Sequence, residues 1–234
     1  MRPAIWQVNS FGINQRNAYY DKRLRIQEFK VMRSIKMLSM AVAIGLGLGT
    51  GALAGVVSTD AAKVAAGSYE LDPSHTTVSG RIDHMGFSST TIRFAKVSGD
   101  FTFDPAHAET PRLRITIDTA SLSTDWPTRD AELRGAAFFN SAKFPTAQFD
   151  ADSLTKVDAN HAKVNGQLTL LGVTRPVQLD VTLLGAGTGM MGDVRTGFIA
   201  HATIKRSDFG MTAYIPAVGD QVELTIDAEF SKKK

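Results

Sequence analysis

Residues 222–230 read Val-Glu-Leu-Thr-Ile-Asp-Ala-Glu-Phe, an unbroken alternation of apolar and polar side chains. Successive side chains of a β-strand point to opposite faces, so Val222, Leu224, Ile226, Ala228 and Phe230 share one side and the acids take the other. One face meets an apolar interior and the other meets water. The same period runs backward through the chain. It places Phe198, Ala200, Ala202 and Ile204 on one face, then Val177, Leu179, Val181 and Leu183. Val164, Leu168 and Leu170 precede these across a turn at Gly172-Val173-Thr174, which predicts a hairpin with a short loop. Leu113, Ile115 and Ile117 form a further run, as do Val97, Gly99, Phe101 and Phe103. With residues 76–83 and 147–151 the total is about eight strands.

Only residues 128–140 resist that period. Their helix-forming side chains, with acids near the start, predict one short helix or helical turn bridging two strands. Strands without crossover helices imply antiparallel pairing in a single all-β domain, a sandwich or a closed barrel, and closure removes free sheet edges.

Composition narrows the chemistry. Of 234 residues, 43% are hydrophobic and 21% charged, an ordinary globular balance, and none is cysteine. Disulfides, thiolate metal sites and cysteine nucleophiles are thereby excluded. The net charge of +3 is unevenly spread, since residues 1–54 hold 8 Lys+Arg and 2 Asp+Glu. The remaining 18 bases and 21 acids leave the body net −3, without the positive footprint that a nucleic-acid or polybasic membrane mode requires.

Residues 37–53 carry no charge, follow Arg33 and Lys36, and end in Ala52-Leu53-Ala54, a small-x-small cleavage signal. This predicts a secretory signal peptide with cleavage after Ala54, an uncleaved anchor being the weaker alternative because seventeen residues with four glycines fall short of the roughly 20 needed to span a bilayer. Translation from Met32 gives a leader of ordinary length, and residues 1–31 then stand outside it. Gly47-Leu48-Gly49-Thr50-Gly51-Ala52 fits a dinucleotide fingerprint but lies inside the leader, with no strand before it. Residues 55–67 read as a flexible spacer, 68–231 as the barrel domain and 232–234 as a basic tail.

Eleven of the 13 phenylalanines follow residue 54, and their first role is core packing. Small residues on the same inward faces (Gly99, Ala200, Ala202, Ala228) leave a gap beside the large ones, and an eight-stranded barrel has room for one ligand. The five histidines show no metal-ligand spacing, so no metal is expected. No Ser sits in G-x-S-x-G, and Asp208-Phe209-Gly210 lacks every companion of the kinase tripeptide. Arg129, Asp130, Glu132 and Arg134 read first as local ion pairs on the helix, and Arg206 with Asp208 as a strand-end pair. The alternative role for one or more of Arg129, Arg134, Arg206 or His75 is to hold a polar or anionic head group at a cavity mouth.

Several stretches together resemble the YceI-like family of polyisoprenoid-binding, lipocalin-like proteins along residues 69–230. They are Leu71-Asp72-Pro73-Ser74-His75, Val97-Ser98-Gly99-Asp100-Phe101, Arg129-Asp130-Ala131-Glu132-Leu133-Arg134 with Phe138-Phe139, and Lys143-Phe144-Pro145. Gly166 to Val177 and Lys205-Arg206-Ser207-Asp208-Phe209-Gly210 complete the order. Thr76 stands where the family usually has Ser, Lys205 where Asn is common, and His84-Met85-Gly86 keeps the family's His-x-Gly.

The resemblance implies an extended eight-stranded antiparallel barrel with one short helix around an apolar cavity, in a protein secreted to the periplasm. It implies a carrier for an isoprenoid quinone, polyprenyl phosphate or fatty-acid derivative, with no required cofactor and no catalysis. The lining expected is Phe94, Phe101, Phe103, Ile115, Phe138, Phe139, Phe149, Leu168, Leu170, Phe198, Ile204 and Phe209. His75, His84, Arg129, Arg134 and Arg206 are the expected head-group contacts. Membrane contact is at most transient, and monomer and homodimer both remain open. Two competing readings are a hydrolase or isomerase using His75 or His84 with Asp83 as base, and a stress-induced structural module with a filled barrel.

Overall fold

The structure, a computed structural model, describes residues 57–234. The proposed leader, its start at Met32 and the glycine-rich decoy lie outside these residues. Eleven strand segments form one antiparallel sheet. They are β1 (Gly67–Leu71), β2 (Thr77–His84), β3 (Ser88–Phe94), β4 (Val97–Phe103), β5 (Arg112–Asp118), β6 (Leu122–Ser123), β7 (Thr146–Lys156), β8 (His161–Leu170), β9 (Val173–Thr188), β10 (Val194–Lys205) and β11 (Val218–Lys232). Among the described residues a single α-helix, α1 (Pro127–Leu133), joins β6 to β7.

The eleven segments make eight barrel staves. β1 pairs with β4 while β2 pairs with β3, so β1–β2 and β3–β4 are two neighbouring strands, each broken near its middle. β5–β6 is a third broken strand, because β4 pairs with β5 and β3 with β6. β7 to β11 follow as an antiparallel meander, and β11 closes the barrel by pairing with β1 at Phe230 to Lys232 and with β2 at Val218 to Asp227. At about 3.3 Å per residue the 15 residues of β11 span about 50 Å, so the barrel is elongated.

The breaks have local causes. At the first, the Asp72 carboxylate accepts from the Ser74 N–H at 3.0 Å, Pro73 follows it, and Thr76 Oγ1 donates to the Asp72 carbonyl at 2.8 Å. At the third, the Asp118 carboxylate accepts from the Ala120 N–H at 2.9 Å and Ser121 Oγ donates to the Asp118 carbonyl. Short acidic side chains that capture a backbone N–H two residues on turn the chain out of the ladder. Ser121 also satisfies the middle break, its carbonyl and Oγ accepting from the N–H groups of Ala95 and Lys96. The hairpin between β8 and β9 turns at Leu171-Gly172, both with positive φ, one residue ahead of the expected Gly172-Val173-Thr174. That geometry suits the twist of the flanking strands.

Three expectations are corrected. Helix α1 ends at Leu133 rather than Asn140, because Gly135 turns back on the Glu132 carbonyl and residues 135–144 run as successive turns. Residues 57–66, expected as a spacer, pack on the barrel. Ser58 exchanges both backbone hydrogen bonds with Ala186, the Ala61 N–H donates to Ala159, and Val64 is buried. The expected basic tail begins inside β11, whose last residue is Lys232.

Apolar packing is concentrated in two clusters. One surrounds Tyr69, fully buried, which stacks on Phe101 at 4.6 Å and donates its hydroxyl to Ala65. The other packs Leu122, Phe138, Phe139, Leu170, Phe209 and Met211 under the α1 segment. Gly166 lets β8 approach β7, since a Cβ there would sit 2.4 Å from the Asp150 carbonyl oxygen. Gly166→Val is expected to cost about 1–3 kcal/mol in urea unfolding. Gly197→Ala, which meets nothing within 4 Å, is expected to stay within about 0.5 kcal/mol of the parent.

Candidate functional site

The period-two faces decide what the barrel encloses. Val222, Leu224, Ile226, Ala228 and Phe230 of β11 all line an interior cavity of about 760 Å³, and so do Val177, Leu179, Val181 and Leu183 of β9. Many of these inward side chains are only half-buried although they point inside, because the centre of the barrel is open space. The filled-barrel reading therefore fails. The volume lies in the upper part of the range of about 300–1,000 Å³ typical of small-molecule sites.

Of the twelve expected lining residues, eleven line this cavity: Phe94, Phe101, Phe103, Ile115, Phe138, Phe139, Phe149, Leu168, Leu170, Phe198 and Ile204. Phe209 does not. It belongs to the packed cluster beneath α1, in the tight turn after β10. Gly99 and Ala202 do not line the cavity either. A Cβ at Gly99 would meet the Arg114 carbonyl oxygen at 2.5 Å, so this glycine serves strand contact rather than internal space.

The five expected head-group residues separate into two groups. His84, Arg129 and Arg206 lie together at the α1 end of the cavity, with Glu132 and Tyr214, which sequence reasoning missed. His75 and Arg134 lie elsewhere. Arg134 donates to the carbonyls of Ala120 and Leu122 and so pins the third strand break. His75 is exposed on the first break, bonded to Asp72 at 3.0 Å. Hydrogen bonds from the Ser74 and His75 side chains and from Arg195 hold the Asp72 carboxyl well below the usual carboxylate range. Arg195 also pairs with Glu229 and, at 2.5 Å, with Asp193, which raises its own pKa. This outer cluster clamps β10 to the β1–β11 seam.

Most donors at the α1 end are already committed. Arg206 is 3% exposed and gives Nε to Gly219, Nη1 to Met211 and Nη2 to Val218, all backbone carbonyls, and burial lowers its pKa. Arg129 gives Nε and Nη2 to the hydroxyl and carbonyl of Thr124, whose hydroxyl in turn donates to buried Asp130 at 2.5 Å. Tyr214 donates to Glu132 at 2.9 Å, and that carboxylate pushes the phenol pKa up. The second end is also polar. His107, Lys156, Asp158 and His161 line it, with His107 on Asp104 at 2.9 Å and His161 on Asp158 at 2.8 Å. Ala61, Ala62 and Val64 of the docked segment line the same cavity.

A family model for the YceI-like domain matches residues 69–230. The chain belongs to the YceI-like family. Protein YceI of Salmonella arizonae is 38% identical over 184 residues, 78% of this chain and 95% of that protein. Among solved structures, the Campylobacter jejuni YCEI protein is 35% identical with a TM-score of 0.58, covering 65% of this chain and 91% of its own. Burkholderia cenocepacia BcnA is 26% identical with a TM-score of 0.61, over 68% of this chain and 98% of its own. A polyisoprenoid binding domain from Saccharophagus degradans shares the fold at 18% identity and a TM-score of 0.54, over 70% of this chain and 98% of its own.

Two measurements check this electrostatic arrangement. The Asp72 and Asp104 hydrogen bonds raise the pKa of His75 and His107, so both are expected to titrate above 6.5 by NMR. With the folded value above the unfolded one, the pairing helps the fold at low pH and is lost as pH rises through the folded value. A midpoint at or below 6.5 contradicts the pairing. Arg206→Met leaves one buried and two partly buried carbonyls unpaired and is expected to cost about 2–4 kcal/mol in urea unfolding. Unchanged stability would return Arg206 to a head-group role.

Proposed function

We propose that this protein is an exported carrier that holds one long, isoprenoid-type lipid inside the barrel without transforming it. The cavity carries the reading, because aliphatic and aromatic side chains from β2 to β11 line a single elongated apolar space with polar groups only at its ends. A protein of the same fold is described as a polyisoprenoid binding domain, and the likeness supports the same ligand class here. The leader pattern of residues 37–54 supports export to the periplasm.

The α1 end favours an uncharged polar head, such as a quinone carbonyl or an alcohol, over a phosphate. Arg206 is consumed by backbone carbonyls, two nitrogens of Arg129 by Thr124, and the Glu132 carboxylate repels an anion. His84 can donate to a quinone carbonyl, and the Tyr214 hydroxyl, its proton given to Glu132, can accept from an alcohol. The geometry disfavours a hydrolase or isomerase: His84 lines the cavity, whereas its neighbour Asp83 points to the other face and accepts from the Gly86 N–H. His75 lies outside the cavity altogether.

Energetics favour a carrier over a tight sink. A 40-carbon tail at about 0.8 kcal/mol per methylene gives a gross term of about 30 kcal/mol, beyond the practical limit of about 20 for non-covalent affinity. The true competitor is the bilayer, which is as apolar as the cavity, so loading from membrane is near balance.

Native mass spectrometry of protein purified from a lipid-rich host is expected to show one retained long-chain molecule per chain. Leu179→Trp, which fills open space, is expected to cut retention at least tenfold with the far-ultraviolet dichroism unchanged. Parent protein that is empty and takes up no lipid from vesicles overturns the reading.

A further inference from the structure

The α1 end carries a second feature that cavity lining does not explain. Three chain tips there expose large apolar side chains: Met85 and Phe87 on the β2–β3 turn, Trp126 at the start of α1, and Tyr214 with Ile215 in the loop before β11. Phe87 is 86% exposed, Trp126 62% and Tyr214 60%. Their backbones surround one mouth. The Met85 N–H donates to Ala217 at 2.8 Å, Tyr214 reaches Glu132 of α1 at 2.9 Å, and Tyr214 packs on Phe138 at 5.8 Å between ring centroids. His84, Arg129, Glu132 and Tyr214 line the cavity beneath these tips.

We propose that this rim docks on a lipid bilayer and sets the cavity mouth against the membrane from which the ligand passes. The proposal rests on the carrier reading above and names where and how that carrier loads. A long apolar ligand cannot cross water at a useful rate, so its mouth must meet the phase that dissolves it. Tryptophan and tyrosine suit the membrane–water boundary, with one apolar side and one wet one. Two arginines near the rim are paired, Arg81 with Glu223 at 3.2 Å and Arg93 with Asp125 at 2.8 Å, and the other bases at this end, Lys143, Arg175 and Lys205, are spread among the acids Asp83, Asp208 and Asp220 rather than gathered into a basic patch. Attachment therefore comes from the apolar tips and needs no anionic lipid. The opposite end is less suited, because its lining carries the ion pairs Asp104–His107 and Asp158–His161. Val57, Val157, Leu184, Met190 and Met191 are exposed on that side too, but none of them lines the cavity, and none is an aromatic residue of the kind that settles at a membrane boundary.

The chain has no cysteine, so single introduced thiols report unambiguously. A polarity-sensitive fluorophore is placed on Ser88→Cys, beside the rim tips, or on Met190→Cys, at the far end, in the full chain. On phosphatidylcholine vesicles the first label is expected to shift to an apolar environment and the second to stay aqueous, equally at low and high salt. The described fold begins at the far end, at Val57, so attachment through preceding residues brings the Met190→Cys label towards lipid instead. The triple variant Met85→Ser, Phe87→Ser, Trp126→Ser is expected to lose the shift. It should also slow vesicle-to-vesicle transfer of the retained lipid at least tenfold, with the amount retained unchanged.

A shift at Met190→Cys alone overturns the proposal, as does one that appears without vesicles and grows with protein concentration, which assigns the rim to a second copy. Retained lipid with an unshifted Ser88→Cys label overturns docking and leaves the carrier reading standing. An empty barrel whose label still shifts keeps docking and removes the carrier reading.

Discussion

The architecture depends on keeping an apolar space open against the hydrophobic effect, which favours collapse. At about 25 cal/mol for each Å² of apolar surface left unburied, a hollow interior costs stability that a packed core would have gained. The ladder of eight staves resists that collapse, because inward movement of any strand would break hydrogen bonds on both of its edges. The two packed clusters then hold the wall, one around Tyr69 and the other under α1. Surface left uncovered inside is surface that a fitting apolar guest recovers.

Three breaks in adjacent strands give the barrel two unlike halves. They lie in neighbouring strands, and the second and third are joined by the Asp118 N–H to the Lys96 carbonyl and the Ala95 N–H to the Ser121 carbonyl. Past them, β2, β3 and β6 lead into α1 and the loops of the polar mouth, whereas β1, β4 and β5 lead towards the docked segment 57–66. Arg134 and Arg206 sit on the mouth side as buried or half-buried cations satisfied by carbonyls. Motif residues that look like ligand contacts are thus backbone braces for the mouth.

Period-two alternation made the long strands legible, since a strand with one face inward and one outward writes its face directly into the residue order. β11, β10 and β9 were plain for that reason, and the lining followed from the same faces. β3 was not, because Thr90 takes an inward position beside Ile92 and Phe94 and blurs the pattern. β1 and β6 are too short to show a period. At the site, the sequence distinguished apolar lining from polar ends but not the use of each cation. Arg129, Arg134 and Arg206 look alike in a string of letters, and only the position of neighbouring carbonyls separates a brace from a contact. Glu132 and Tyr214 come together from distant segments, and no local spacing announces that meeting.

Closure by β11 has a kinetic meaning. The strand nearest the carboxyl end seals the seam against the first two strand segments, so the chamber does not exist until residues 218–232 have left the ribosome and found partners laid down much earlier. Pairings between such distant stretches form slowly. During that interval the chain is an unsealed ribbon with two free edges, threadable through a narrow channel and exposed to unwanted pairing until the last strand arrives.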